Sequence, residues 1–260
     1  MKTINYYLRI FFIFFLFSCS SEEKNVVTIG HRGAMGHVTE NTIPSIQKAI
    51  ELGVDGIEID VFKCKSGEIV LFHDKKLDRL TSVEGFIENI DIDSINKIKI
   101  KDQYKIPLFE EVLEIVPENI FLNIELKGKG TAKKVNEILL KKISNNSSKI
   151  NNYIISSFDW DELNILRSIN KNIPLAILTS NNIDKAIVEG KKINATSINP
   201  NYKLLDKKNI LQIKSEGFKV FPYTVNDQSM IEKMKKLRVD GIITDYPERV
   251  NSKVNYEKTN

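Results

Sequence analysis

Two histidines, His31 and His73, and three carboxylates, Glu58, Asp60 and Glu125, stand where short apolar runs end, in the stretches IGHRG, IVLFHD, GIEIDV and FLNIELKGKG. Alternate residues of a strand share a face, so Glu58 and Asp60 point one way while Ile57, Ile59 and Val61 point the other. Glu125 arrives in the same manner, with Lys127 two residues on and therefore on its face. Two like charges about 5 Å apart repel by roughly 3 kcal/mol at an effective dielectric of about 20, and a trio is worse. Something positive has to sit among them. Three oxygen donors without a cysteine or histidine cluster favour one hard divalent cation, Ca2+ or Mg2+, with Mn2+ also accommodated. The competing arrangement leaves Glu58 and Asp60 at the exposed ends of an edge strand, or neutralised by Arg32 and Lys127.

His31 and His73 are two of only three histidines in the chain, and at strand ends they can form an acid and base pair near neutral pH. Arg32 offers a planar fork of donors that matches phosphate oxygens, and Lys127 adds a point charge. Gly30 and Gly33 leave room for a turn and close backbone approach around the His-Arg pair. The reactant these groups suggest is an anionic phosphoryl group. His37 lies in a loop and has the weakest claim of the three histidines. Cys64, between two lysines, reads as an incidental free thiol.

The elements that would position these groups follow from periodicity. From Val26 onward, short β-rich runs alternate with stretches of helical period, the signal for βα units around a parallel sheet. The expected strands are Val26–Ile29, Gly56–Val61 extended by Ile69–Phe72, Ile120–Leu126, Tyr153–Ser156, Leu175–Leu178, Thr196–Ile198, Lys219–Val225 and Gly241–Thr244. Helices are expected near 43–52, 109–116, 131–144, 160–169, 183–191, 205–216 and 228–237. Eight strands over residues 26–250 fit an α/β (β/α)8 TIM barrel better than a doubly wound sheet, and in such a barrel chemistry gathers at the C-terminal ends of the strands. Residues 74–108 are too long for a plain βα connection and read as a small inserted lid over the barrel mouth.

The N-terminus carries a different message. Lys2 and Arg9 frame a positive region, 10–17 is an apolar run, and Cys19 follows before the composition turns polar. The run is too short for a membrane-spanning helix, which needs about 20 apolar residues. It resembles a bacterial lipoprotein signal over residues 1–18, with Cys19 lipidated at the new N-terminus and 19–25 a linker. That predicts a cell-envelope protein, lipid-anchored to a membrane and either periplasmic or surface-exposed. The whole chain has a formal net charge of +4, and losing Lys2 and Arg9 brings the mature form close to neutral. No basic block is interleaved with stacking aromatics, so nucleic acid is not an expected partner. Residues 251–260 read as a polar tail.

At these residues the chain resembles the glycerophosphodiester phosphodiesterase family. The resemblance runs in order through HRGAMGHVTENT (31–42), ELGVDGIEIDV (51–61), GEIVLFHD (67–74), LDRLT (77–81), IPLFEEVL (106–113), NIELK (123–127), SSF (156–158), YTVN (223–226) and DGIITDYP (240–247). It implies a phospholipase C-like phosphodiesterase barrel with an insertion after the second strand. The implied reaction is hydrolysis of a small-molecule glycerophosphodiester to sn-glycerol 3-phosphate and an alcohol. By the same resemblance His31 and His73 are the acid and base, Glu58, Asp60 and Glu125 hold the cation, and Arg32 and Lys127 contact phosphate. Glu40 and Asn41 lie beside the metal or brace the first loop, and Phe158 and Tyr223 pack against the glycerol end. Tyr223 stands where many members have Trp, which bears on the shape of the glycerol or head-group pocket, and Thr39 replaces the commoner Pro. Two rival readings are a phospholipase C-like or sphingomyelinase D-like barrel acting on intact lipids, and a non-catalytic phosphodiester-binding lipoprotein.

Overall fold

A computed structural model describes residues 26–144 and 147–250. The expected signal, lipid-modified Cys19, linker and polar tail lie outside the described residues. Among the described residues no helix is long and apolar enough to cross a membrane.

Eight parallel strands form a nearly closed barrel. They are β1 (Val27–Gly30), β2 (Gly56–Lys63), β3 (Phe121–Leu126), β4 (Tyr153–Ser157), β5 (Leu175–Thr179), β6 (Ser197–Pro200), β7 (Lys219–Val220) and β8 (Gly241–Thr244). The longest register, Gly56↔Phe121 to Val61↔Leu126, joins β2 to β3 and sets Asp60 level with Glu125. β1 pairs with both β2 and β8. The seam between β7 and β8 is closed by single bonds, Asp240 N–H to the Val220 carbonyl (3.0 Å), Ile243 N–H to the Pro222 carbonyl (3.0 Å) and Val225 N–H to the Ile243 carbonyl (3.0 Å). This is where the expected strand over 219–225 is cut short, because Pro222 has no N–H to continue a ladder.

The helices between strands are α1 (Ile43–Glu51), α2 (Phe109–Ile115), α3 (Thr131–Lys142), α4 (Trp160–Ile169), α5 (Ile183–Lys192), α6 (Lys207–Ser215) and α7 (Gln228–Lys236). Side-chain caps mark several starts: Thr42 accepts from Ser45 N–H, Asp159 from Asp161 N–H and Asn182 from Lys185 N–H. Asp206 accepts from Asn209 N–H, which delays α6 by two residues relative to the periodic run.

Alternation along the strands partitions the core. Ile57, Ile59, Val61, Leu122, Ile124 and Leu126 face outward into the large cluster beneath the helices. Ile29, Phe221 and Ile243, with Phe121 and Ile154, fill the barrel floor. The stretch Ile69–Leu71 does not extend the barrel wall; it folds back antiparallel on β2, with Val61 opposite Leu71. That hairpin seats the insertion. Phe62, Val70 and Phe72 pack against Leu77, Leu80, Ile87, Ile95, Ile98, Ile100 and Ile106 in a separate small core. The isolated apolar residues of this segment, which fit no long amphipathic helix, are its interior.

Candidate active site

The first βα loop is shaped by backbone constraints. Arg32 and Asn41 adopt left-handed backbone (φ 48° and 53°), and Gly33 follows at φ 85°. A Cβ on Gly33 would lie 2.5 Å from Ser45 Oγ, so the turn admits no side chain there. Its product is an Arg32 N–H aimed at Glu58 Oε2, 2.8 Å away. A non-glycine residue held at positive φ in a cleft is the kind of local strain that functional sites retain.

Glu58, Asp60 and Glu125 converge at the mouth. One oxygen from each lies within 4.8 Å of the others, and all three side chains are buried. The edge-strand alternative fails, since β2 is flanked by β1 and β3. Neutralisation is only partial. Arg32 Nε is 3.2 Å from Asp60 Oδ2, and Lys127 Nζ is 2.6 Å from Glu125 Oε1 and 3.5 Å from Asp60 Oδ1. Asn41 orients Asp60 by donating Nδ2 to Oδ2 (2.8 Å) while its Oδ1 accepts from Asp60 N–H (3.1 Å).

The electrostatics record an uncompensated excess of negative charge. Burial, then Asp60 and Glu125, push the Glu58 carboxyl well above the usual range. Burial and Asp60 raise Glu125 to about 7 against the pull of Lys127. Glu58 Oε1 is buried with no hydrogen-bond partner, an expensive state for a carboxylate oxygen. An all-oxygen donor set, a like-charge cluster and an orphaned carboxylate oxygen fit a divalent cation of the Ca2+ or Mg2+ class.

Both predicted histidines face this cluster, each backed by a carboxylate. His31 Nδ1 is 2.6 Å from Asp245 Oδ1, and its Nε2 lies 3.9 Å from Glu58 Oε2. His73 Nδ1 is 2.5 Å from Asp74 Oδ1. An ionised carboxylate accepts from the Nδ1 proton, leaving Nε2 as the free ring nitrogen in both cases. Burial holds the His73 pKa below its ordinary value, with Arg32 and Lys127 pulling the same way against Asp60 and Asp74, which favours the neutral ring.

An ion-pair chain ties the first loop to the insertion. Arg32 donates Nη1 to Glu40 Oε1 (2.6 Å). Arg79 donates Nη1 and Nη2 to the two Glu40 oxygens (2.8 Å each) and Nε to Asp74 Oδ2 (2.5 Å). Burial works against the charge on Glu40, yet the two arginines bring its pKa down to about 2. Burial opposes the charge on Asp74 as well, yet Arg79 and His73 together bring its pKa down to about 2.

Phe158 and Tyr223 meet edge to face at the rim, ring centroids 5.7 Å apart, with Phe158 exposed. The Tyr223 hydroxyl donates to the Thr179 carbonyl (3.0 Å). Phe158, Trp160, Asp159, Asp161 and Lys75 line an open depression that reaches Glu125 and Lys127. His37 pairs instead with Glu248 (3.0 Å), away from the triad, and Cys64 is a buried free thiol donating to Glu68 Oε2 (3.1 Å). Sequence reasoning missed Asp74, Arg79, Asn226 and Asp245 as individuals. The signal available was that each lies in a stretch already singled out, HD, LDRLT, YTVN and TDYP.

Residues 31–249 match the profile of the Glycerophosphoryl diester phosphodiesterase family. A glycerophosphodiester phosphodiesterase of Caldanaerobacter subterraneus subsp. tengcongensis is 35% identical over 231 residues, covering 85% of this chain and 95% of the relative. One from Bacillus subtilis is 31% identical over 247 residues, covering 86% and 84%. Among solved structures, the Thermotoga maritima glycerophosphodiester phosphodiesterase superposes with a TM-score of 0.71 at 28% identity, covering 86% of this chain and 96% of that one. An Oleispira antarctica phosphodiesterase in complex with the product sn-glycerol-3-phosphate superposes with a TM-score of 0.79 at 24% identity, covering 87% and 95%, and shares the fold.

Proposed function

We propose that this chain, which belongs to the glycerophosphoryl diester phosphodiesterase family and is a glycerophosphodiester phosphodiesterase, works by cation-dependent acid-base catalysis between two imidazoles. The carrying observation is the arrangement itself, a buried carboxylate triad flanked by two histidines whose Nε2 atoms are left free by carboxylates on Nδ1. Glu58, Asp60 and Glu125 are assigned to hold Ca2+ or Mg2+, with Mn2+ an accepted substitute. When bound, such an ion supplies Lewis-acid polarisation of a phosphoryl oxygen.

Arg32 and Lys127 orient the diester by charge, Arg32 with its guanidinium fixed between Glu40 and Asp60. One histidine removes a proton from the attacking oxygen at Nε2, and the other delivers a proton from Nε2 to the leaving alkoxide. The products are sn-glycerol 3-phosphate and an alcohol. Each imidazole contributes about 10²–10⁴ in rate. Glu40 and Asn41 act behind this line, Glu40 on Arg32 and Asn41 on Asp60, while Phe158 and Tyr223 offer an apolar wall to the glycerol end. The lipid anchor at Cys19 and an envelope location belong to the same reading and rest on the basic, apolar and Cys19 pattern of the leader.

The test is release of glycerol 3-phosphate from a panel of glycerophosphodiesters and intact phospholipids, run with chelator and then with Ca2+, Mg2+ or Mn2+ restored. Unchanged turnover in chelator refutes the cation, and a preference for intact lipid refutes the substrate class. Mass spectrometry of the mature N-terminus checks the anchor, and an unmodified Cys19 refutes it.

A further inference from the structure

Behind His31 lies a hydrogen-bond relay whose polarity is dictated at its far end. The Thr244 hydroxyl accepts from Tyr246 N–H (3.1 Å), so its own proton is free to go to Asn226 Oδ1 (3.1 Å). The same Oδ1 accepts from Asp245 N–H (2.9 Å). Two donors on one atom identify it as the amide oxygen and make the other atom, Nδ2, a donor. Asn226 Nδ2 donates to Asp245 Oδ2 (2.6 Å), and Asp245 Oδ1 accepts a hydrogen bond from His31 Nδ1 (2.6 Å).

We propose that Asn226 is a positioning residue for the reaction, because its amide orientation, transmitted through Asp245, decides which ring nitrogen of His31 carries the proton. The inference rests on the reading that His31 exchanges protons with substrate at Nε2. Asp245 Oδ1 lies 2.6 Å from Nδ1, within hydrogen-bond reach, whereas Glu58 Oε2 is 3.9 Å from Nε2 and makes no hydrogen bond to it. The relay therefore holds the acceptor, and with it the ring proton, at Nδ1. Replace Asp245 by Asn and Nδ2 of Asn226 still needs an acceptor, so the new amide turns its oxygen to Asn226 and its NH2 to His31. His31 then accepts at Nδ1 and the proton moves to Nε2, where a base would have to accept one and where an acid could give one up only by leaving an imidazolate. Neither direction of proton transfer works well from that tautomer, so the argument holds whether His31 is the acid or the base.

The relay makes a reversal possible. In Asn226→Asp with Asp245→Asn, a carboxylate at 226 accepts from Thr244, from the 245 N–H and from the new amide, which then turns its oxygen toward His31. The Nδ1–H tautomer returns, without the negative charge that Asp245 carried.

The experiment is 15N NMR of histidine-labelled protein at about pH 8, where an ordinary imidazole is neutral, with turnover measured on the same samples. There are three histidines, and His31→Ala identifies the signal. Expected are an Nδ1-protonated ring in the wild type, an Nε2-protonated ring in D245N with kcat lower by about 10²–10⁴ at little change in KM, and recovery of the Nδ1–H tautomer with about tenfold or more of the lost kcat in the double variant. An unchanged tautomer in D245N overturns the inference, as does a folded double variant that keeps the Nε2–H ring. If the double variant does not fold, the D245N spectrum decides alone. Near-normal turnover in His31→Ala would instead overturn the catalytic reading, which the spectra do not depend on.

Discussion

Cation binding at the triad should compete with protons, and the structure sets the size of the competition. Glu125 is raised to about 7 by burial and Asp60, so at pH 5.5 it carries its charge in about 3% of molecules and at pH 7.5 in about three-quarters. A ligand that needs the ionised form therefore binds roughly 25-fold more weakly at pH 5.5 through this one group. Glu58, raised by burial and by both neighbouring acids, adds in the same direction. The sign for stability follows. Between its ordinary value and about 7, Glu125 holds a proton in the folded chain that the unfolded chain has lost, so the cation-free protein is destabilised as pH rises through that window. The full cost is on the order of 3 kcal/mol, and a bound cation offsets it. Calorimetric titration with Ca2+ at both pH values, in two buffers of different ionisation enthalpy, measures affinity and proton release together. Equal affinities at the two pH values, or binding without proton release, would show that the three carboxylates are not the ligands.

Glu125→Gln should raise the melting temperature of the cation-free protein by removing like-charge repulsion while abolishing the Ca2+-induced rise; a lower melting temperature with the rise intact contradicts the assignment. His73→Ala should lower kcat by about 10²–10⁴ with the melting temperature nearly unchanged, and turnover within a few-fold of wild type would remove His73 from the mechanism. Arg79→Gln leaves buried Glu40 with Arg32 alone, at a cost of about 1–3 kcal/mol in urea unfolding at neutral pH. The low pKa of Glu40, about 2, stabilises the fold above the ordinary carboxylate range and is lost as pH falls toward 2. The stability difference between pH 6 and pH 3 should therefore narrow in this variant, and an unaltered difference would mean that Arg79 is not what holds Glu40 ionised.

The alternation of Glu58 and Asp60 with Ile57, Ile59 and Val61 was enough to place two carboxylates on one face, because a strand has a period of two wherever it sits. The order of strands and helices was legible for the same kind of reason, since each element must bury one side. Harder to read was Lys219–Val225, where Pro222 interrupts a ladder that tertiary neighbours complete with single bonds. The insertion resisted a periodic reading because its apolar residues serve a core assembled from turns, a hairpin and two short helices.

Residue types and spacing alone determined the fold class, the acidic cluster and the two histidines, all of them local consequences of strand geometry and apolar pattern. What only the tertiary structure decided is how those groups are held. Asp245 stands 214 positions from His31, and Arg79 reaches Glu40 across 39. No period in a sequence encodes such pairings, because they exist only once barrel closure brings the last strand beside the first and the insertion packs against the first loop.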